Sequence, residues 1–572
     1  MTFKHFAEYL ARIEAESSRL EIIRLLSELF AELEPEELPK AVLLLTGKVA
    51  PEFEGLEFGV AEKEAAKALA MALDRPEDEV WQKVREVGDI GRAALELLPE
   101  KDEGGLPLLE VFDELRALAE DSGPGSQLRK RERLANLIKR GTPLEAAYVL
   151  RIVTGRLRLG VGEATILEAL AQAVLGDRKR RPLLERAYNL TSDLAYVAEL
   201  ALKGIEALEN VRVQVGKPIR MMLAERLPNA EAIVNKLGPH FAEFKYDGER
   251  VQVHHDGERF WVFSRRIENI THQYPDLLEA LKKELKGSYI LEAEAVVFDP
   301  DSGEMLPFQY VLNRKVKHFT PELAEKYPVK AFVFELLYKD GEALIDLPYK
   351  GRRAHLEAFI PQAERFEPST KRWVETTEEL ERFFDEALEA GTEGLMCKKP
   401  DANYEAGKRG FKWVKFKRAA GGRLADTLDV VIVGAWWGRG RRSGTYGSLL
   451  VATYNPEEDR FETLSKLGSG FTDEDLQEVL PKRLDPLRRD GPSHRVWSFL
   501  EPDVWFEPAQ VIEVEAQEIT LSPNHTCAYG KVKEGRGLAL RFPRFLRYRD
   551  DKSPEEATTS NEVVELYHLQ WK

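Results

Sequence analysis

The 572-residue chain changes texture near residue 212, and no single architecture suits both sides of the change. Before it, apolar residues recur at helical spacing: Phe3, Phe6, Leu10 and Ile13, then Leu20, Ile23, Leu26 and Phe30. Residues three and four apart share one helix face, so each set predicts an amphipathic helix with a buried stripe. Turn signals interrupt the pattern at Pro51, at Gly104-Gly105 and across 121–126, and strand-like alternation is scarce. Residues 1–212 therefore read as an all-α domain. From Gly216 short strands alternate with helical stretches, which predicts an α+β domain over 213–420. Ala419-Ala-Gly-Gly-Arg423 has the composition of a linker. Beyond it, runs at 428–437, 446–454, 460–464 and 511–519 predict short strands. Their number and length suit a five-stranded β-barrel of the OB type over 421–572.

Composition bounds the setting. A hydrophobic share of 43% and a charged share of 32% describe a globular chain with ample material for several cores. The formal net charge of −16 argues against a polyanion partner only if charge is spread evenly; binding depends on local basic stripes. Cys397 and Cys527 are the only cysteines, too few for a four-cysteine zinc site and expected to be buried and reduced. The first thirty residues lack the apolar core of a signal peptide, and no run approaches the ~18 apolar residues of a membrane span. No membrane association and a cytoplasmic location follow as expectations.

The stretch with most chemistry is Phe241-Ala-Glu-Phe-Lys245-Tyr-Asp-Gly-Glu-Arg250-Val-Gln-Val-His254. Alternation puts Glu243 and Lys245 on one face and Ala242 and Phe244 on the other. Asp247-Gly248 reads as the tight turn of a hairpin, with Val251 and Val253 resuming the alternation. A lysine becomes a nucleophile only as the neutral amine, the form that partial burial and neighbouring cations favour. Downstream, 260–266 predicts a strand that delivers Ser264 and Arg265 at its end. A strand over 290–298 carries Glu292 and Glu294 on one face; carboxylates on an apolar strand are costly unless paired or bound to a cation such as Mg²⁺. Phe334 lies in a buried-looking strand over 331–338. Gly391-Thr-Glu-Gly-Leu-Met-Cys-Lys398 supplies Glu393 and Lys398, and 409–417 places Lys415, Lys417 and Trp413 on one face. Basic segments at 129–133, 151–162, 438–444 and 540–549 offer positive charge, and in places backbone N–H groups, to phosphates.

The order Lys245-Tyr-Asp-Gly, Ser264-Arg265, Glu292-Ala-Glu294, Phe334, Glu393-Gly-Leu-Met-Cys-Lys398 and Lys415-Phe-Lys417 resembles the covalent nucleotidyltransferases. Within them it is similar to the ATP-dependent DNA ligases of the archaeal and eukaryotic replicative type. That similarity continues through Asp426-Thr-Leu-Asp-Val-Val-Ile-Val-Gly434, 466–471 and 541–559. The resemblance implies that 1–212 binds DNA, 213–420 is an adenylation domain and 421–572 an OB domain that hinges about 418–423. It implies that Lys245 takes AMP from ATP, that Glu243 contributes to adenine recognition and that Phe334 stacks on the base. Arg250, Arg265 and Arg409 would hold ribose and phosphate oxygens; Lys398, Lys415 and Lys417 would surround the α-phosphate. Glu294 and Glu393 would position Mg²⁺ or Mn²⁺, and Asp551 with Lys552 would help orient the leaving pyrophosphate. The implied substrate is nicked double-stranded DNA, sealed by a monomer in a prokaryotic, nucleoid-associated setting. A sliding clamp is a candidate further partner, although no glutamine-to-paired-aromatic clamp peptide is evident. The alternative within the superfamily is an RNA ligase or a capping guanylyltransferase using the same lysine.

Overall fold

The computed structural model describes residues 1–101, 105–298, 305–306, 308–316, 318–417, 427–438, 444–516, 518–541 and 543–570. The linker at 419–423, the hinge inferred there, Asp426 and the basic residues 439–443 lie outside the described residues. The chain forms two compact units, Met1–Val211 and Arg212–Lys572.

Among its described residues the first unit has thirteen α-helices, from Phe3–Glu14 to Ile205–Glu209, and no strand. Helix Phe3–Glu14 buries Phe3, Phe6, Leu10 and Ile13. Helix Arg19–Glu32 starts at Ser18, whose side chain accepts from the Glu21 N–H, and buries Ile23, Leu26 and Phe30. Leu20 departs from the periodic reading: it lies in the first turn, ahead of the buried stripe, and is 61% exposed. The basic segments are locally neutralised. Arg129 pairs with Asp121, Arg131 with Glu64, Arg133 with Glu114, and Arg156 with Glu62. The more exposed of these pairs, Arg129–Asp121 and Arg133–Glu114, are worth about 0–1 kcal/mol, so a polyanion can exchange with them. Arg151 differs: it is mostly buried and bonds Asp89 and Glu14, so it braces helices rather than facing phosphate.

The second unit is built on three sheets that concern the site. One has five strands in the order β1 (Leu223–Arg226), β11 (Arg409–Lys417), β10 (Gly394–Lys398), β2 (His240–Lys245) and β9 (Lys371–Val374). A second runs β4 (Phe260–Ser264), β3 (Glu249–His255), β5 (Tyr289–Val297), β6 (Val329–Lys339) and β7 (Glu342–Ala343), with β8 (Phe366–Pro368) beside β6. Alternation gives each sheet one oily face. Ala242, Leu395, Cys397 and Val414 form a core with helices Ala230–Leu237 and Thr377–Glu389. Val251, Val253, Leu291, Ala293 and Val333 pack under helices Pro275–Glu284 and Tyr349–Phe359. The opposite, polar-bearing faces line one cleft.

The third sheet lies in the C-terminal part. Its order is β15 (Arg488–Arg489), β17 (Val504–Phe506), β12 (Leu428–Trp437), β13 (Tyr446–Asn455), β14 (Arg460–Leu467) and β16 (Val496–Trp497). β18 (Val511–Glu515) pairs with β12 and with β21 (Arg544–Tyr548), and β19 (Glu518–Ser522) pairs with β20 (Gly537–Arg541). Among the described residues the sheet curls as a half-barrel. The strand expected over 511–519 is divided between β18 and β19.

The Asp247-Gly248 turn is not a hairpin. β2 and β3 belong to different sheets, and the chain crosses between them at Tyr246–Gly248. Tyr246 stacks on Phe332 at 3.8 Å, and the Asp247 carboxylate accepts from the Phe308 N–H at 3.2 Å. A Cβ on Gly248 would lie 2.3 Å from the Ala295 carbonyl oxygen of β5, so only glycine allows this close crossing. The crossing leaves Lys245 at the seam of the two sheets.

Candidate active site

Strand register orders the cleft into rows. Across β2, β10 and β11, Lys245 stands beside Gly394 and Lys417; Glu243 beside Met396 and Lys415; Phe241 beside Lys398 and Trp413. β1 extends the second row with Arg226 next to Lys415. The facing sheet sets Arg250 opposite Glu294 and Gln252 opposite Glu292. One row thus carries two lysine amines, the next a carboxylate and two cations, and the third aromatic rings and a buried lysine.

The third row is a closed, flat-walled end. Lys398 is 1% exposed and donates to Glu243 Oε2 at 3.1 Å. Its amine lies 4.3 Å from the Trp413 ring centre and 5.0 Å from that of Phe334. Glu243 also accepts from Ser369 Oγ at 2.9 Å, from Tyr349 and from Arg353. Burial opposes its charge, but Lys398 and Arg353 outweigh burial and hold the carboxyl below its ordinary range. Burial likewise lowers Lys398, which Glu243 partly restores. Arg250 bonds Glu292 at 2.9 Å and sits 5.3 Å from the Phe334 ring centre.

The other end is cationic. Lys245 is about one-fifth exposed and bonds Glu393, which also faces Lys417 at 3.2 Å. Burial would raise Glu393; Lys245 and Lys417 overcome it and hold the carboxyl well below its usual range. Burial pushes Lys415 well down, and Arg226, Lys552 and Arg409 push it further. The C-terminal part contributes Asp429, Arg547, Arg549, Asp551 and Lys552 to the same cleft. Its carboxylates also hold cations of the first two sheets: Arg265 bonds Glu556 at 2.8 Å, and Arg409 bonds Glu562. An aromatic, donor–acceptor end joined to an amine and a bank of cations suits a nucleoside polyphosphate attacked at phosphorus.

Comparison with known proteins agrees with that chemistry. Residues 2–171 match the DNA ligase N terminus model, 221–417 the ATP dependent DNA ligase domain, and 442–552 the ATP dependent DNA ligase C terminal region. The probable DNA ligase of Aquifex aeolicus is 49% identical over 580 residues, spanning 100% of this chain and 99% of that protein. The chain belongs to the ATP-dependent DNA ligases. The DNA ligase of Staphylothermus marinus is 44% identical, with 100% of this chain and 99% of that one covered. A mycobacterial DNA ligase D, solved with ATP and MES, is 26% identical over 59% of this chain and 97% of its own, with a TM-score of 0.34.

ATP and a divalent metal ion serve ligases of this family. Among the described residues no group of three or more His, Cys, Asp or Glu could hold a metal ion. Mg²⁺ commonly takes one or two carboxylates and completes its shell with phosphate oxygens and water. Glu294 and Glu393 fit that pattern: burial, then Glu393 and Asp247, push Glu294 up to about 8, against Lys245 and Arg250. Bound there, the ion would draw charge from the phosphoryl oxygens.

The cleft brings together Lys245, Glu243, Arg250, Arg265, Glu294, Phe334, Glu393, Lys398, Arg409, Lys415 and Lys417. Lys398 is displaced from the place the resemblance implied: it stands with Glu243 and the rings, two rows from Lys245. Tyr349, Arg353 and Ser369 around Glu243, and Arg226 and Asp429 at the cationic end, were not singled out from sequence. Asp429 carried a readable signal, a lone carboxylate in the apolar run Leu428-Asp-Val-Val-Ile-Val433. Arg353 and Ser369 carried none, because only tertiary pairing sets them beside Glu243.

Proposed function

We propose that this enzyme seals nicks in duplex DNA through an adenylyl-lysine on Lys245. The supporting observation is the placement of that amine among a bank of cations, in one cleft with a base-sized aromatic end, within a fold whose family joins DNA with ATP. The Lys245 Nζ attacks the α-phosphorus, the bond to the β-phosphate oxygen breaks, and pyrophosphate leaves with the electron pair. Nζ must shed a proton before it attacks; Glu393, bonded to it, orients the amine. Lys417, in the same row, and Lys415 in the next stabilise charge on the phosphoryl oxygens. AMP then passes to the 5′-phosphate at a nick, and the 3′-hydroxyl displaces it.

Glu243 and Lys398 read the base. An acceptor beside a donor complements adenine, which offers its exocyclic amine beside a ring-nitrogen acceptor; guanine presents the opposite order. Phe334 packs against the ring. Arg250 steadies Glu292 and the sugar side, while Arg265 and Arg409 serve the phosphates once released from Glu556 and Glu562. Residues 1–212 act as the DNA-binding domain, 213–420 as the adenylation domain and 421–572 as an OB domain. Among the described residues no helix is long and apolar enough to cross a membrane.

Incubation with α-labelled ATP and Mg²⁺ should label the protein, and nicked duplex should then remove the label, first onto its 5′-phosphate and finally as free AMP when the strand is sealed. Lys245→Ala protein should stay unlabelled. Sealing of nicked RNA, or labelling by GTP in preference to ATP, would favour the RNA ligase or capping alternative instead.

A further inference from the structure

The cationic end of the cleft holds more positive than negative side chains, and Asp429 is one of the few carboxylates among them. Asp429, at the start of β12, is 1% exposed. Its Oδ1 accepts from Arg549 at 3.1 Å; its Oδ2 accepts from Arg226 at 3.3 Å and from Lys552. Lys415 neighbours Arg226 across the β1–β11 pair and lines the same cleft. Around this point stand Arg226, Lys415, Arg547, Arg549 and Lys552, against Asp429, Glu513 and Asp551. Glu513 bonds Arg547 at 2.5 Å and Asp551 bonds Arg549 at 2.9 Å. Asp429 gathers three cations from two separate parts of the unit, β1 and the segment after β21.

We propose that Asp429 is a built-in competitor of pyrophosphate. This rests on the reading of Lys245 as the adenylated residue in this cleft. When a polyphosphate is present, its oxygens take Arg226, Arg549 and Lys552 from Asp429. When pyrophosphate departs, Asp429 recaptures them. Without it, Arg226, Arg549 and Lys552 would crowd together with one counter-ion fewer, a costly state. The carboxylate thereby weakens the hold on the leaving group. It also opposes the reverse reaction, in which a pyrophosphate oxygen attacks the phosphorus of the adenylyl-lysine and Lys245 departs with the electron pair, taking up a proton. Asp429 touches no reacting atom in this scheme; it is a positioning residue that sets how reversible charging is.

The test compares wild-type and Asp429→Asn enzyme, each charged with α-labelled ATP and magnesium, freed of nucleotide, and exposed to graded sodium pyrophosphate with magnesium. Release of labelled ATP is followed. The half-maximal pyrophosphate concentration should fall by about tenfold or more in the variant, the effect of losing one direct charge competitor. An unchanged pyrophosphate dependence in a folded variant overturns the proposal, even if the variant melts at lower temperature, because a purely structural role predicts that pair of results. Failure of a folded variant to be charged also overturns it, since removing a competitor cannot weaken polyphosphate binding. The Lys245 reading is judged separately, by whether wild-type enzyme carries label at that residue.

If the asparagine variant does not fold, hydrogen exchange of the wild type decides. The Asp429 N–H donates to Thr558 Oγ1 at 2.9 Å, and the Thr558 N–H to the Asp429 carbonyl at 2.8 Å. Pyrophosphate with magnesium should speed exchange at these two amides by freeing Asp429 from its cations. Protection there would refute the competition.

Discussion

Replacing Lys398 by methionine separates the two ends of the cleft. On β10 Lys398 pairs with Phe241, and Gly394 pairs with Lys245. Four strand residues at ~3.3 Å each set Lys398 about 13 Å from the nucleophile's row. The variant therefore removes a donor to the base and no charge near the phosphorus. A hydrogen bond from a charged donor is worth about 1.5–3 kcal/mol, so the apparent KM for ATP in single-turnover adenylation should rise roughly 10- to 150-fold. The maximal rate should change little, and the preference for ATP over GTP should shrink, because the donor that distinguishes them is gone. Folding also suffers. Glu243 loses one of its cations and keeps Arg353, Ser369 and Tyr349, so the cost should sit near the lower end of the ~3–5 kcal/mol for breaking a buried pair. The control is Lys417→Met, in the same row as Lys245, which should lower the maximal rate instead. Covalent label on the protein, measured against ATP concentration, distinguishes the two. If Lys398→Met slows the maximal rate as much as Lys417→Met while leaving KM unchanged, Lys398 belongs to the phosphate and this reading of the cleft is wrong.

Three further outcomes are expected. Arg352 and Glu335 are each 1% exposed and joined by two 2.8 Å bonds, so Arg352→Met should cost ~3–5 kcal/mol in denaturant unfolding, whereas Arg352→Met with Glu335→Leu should recover much of that; a single-variant loss below about 1 kcal/mol contradicts it. Burial, then the Glu562 carboxylate, push Glu225 up to about 8, so the folded chain holds a proton that the unfolded chain, with its ordinary value of 4.5, releases. Stability from this group is complete below that ordinary value and is lost as pH rises through about 8; Glu225→Gln should therefore reduce the drop in melting temperature between about pH 6 and 9, and an unaltered drop refutes the assignment. Nicked-duplex binding should weaken by roughly a thousandfold or more between about 50 and 200 mM salt if local basic stripes overcome the −16 net charge; a flat salt response counts against backbone-dominated binding.

Local pattern made some of this architecture legible. Period-two alternation placed Glu243 and Lys245 on one face of β2, and the cost of carboxylates on an apolar strand marked Glu292 and Glu294 of β5. Helical periodicity found the stripe of Phe3–Glu14. What failed was long-range. Asp247-Gly248 has the composition of a hairpin turn, yet the chain uses it to change sheets, because the glycine is needed for the approach to Ala295 rather than for turning β2 onto β3. Lys398 could not be assigned to an end of the cleft without the β2–β10 register. The partners of Asp429 come from β1 and from the segment after β21, some two hundred residues before it and more than a hundred after, which no local signal can join.

The central claim is that one amine at the seam of two sheets carries the adenylyl group. Intact-protein mass spectrometry with peptide mapping, after exposure to ATP and magnesium, tests it directly. The account predicts a single AMP adduct on Lys245, lost again when nicked duplex is added. An unchanged mass, or an adduct on any other residue, contradicts it.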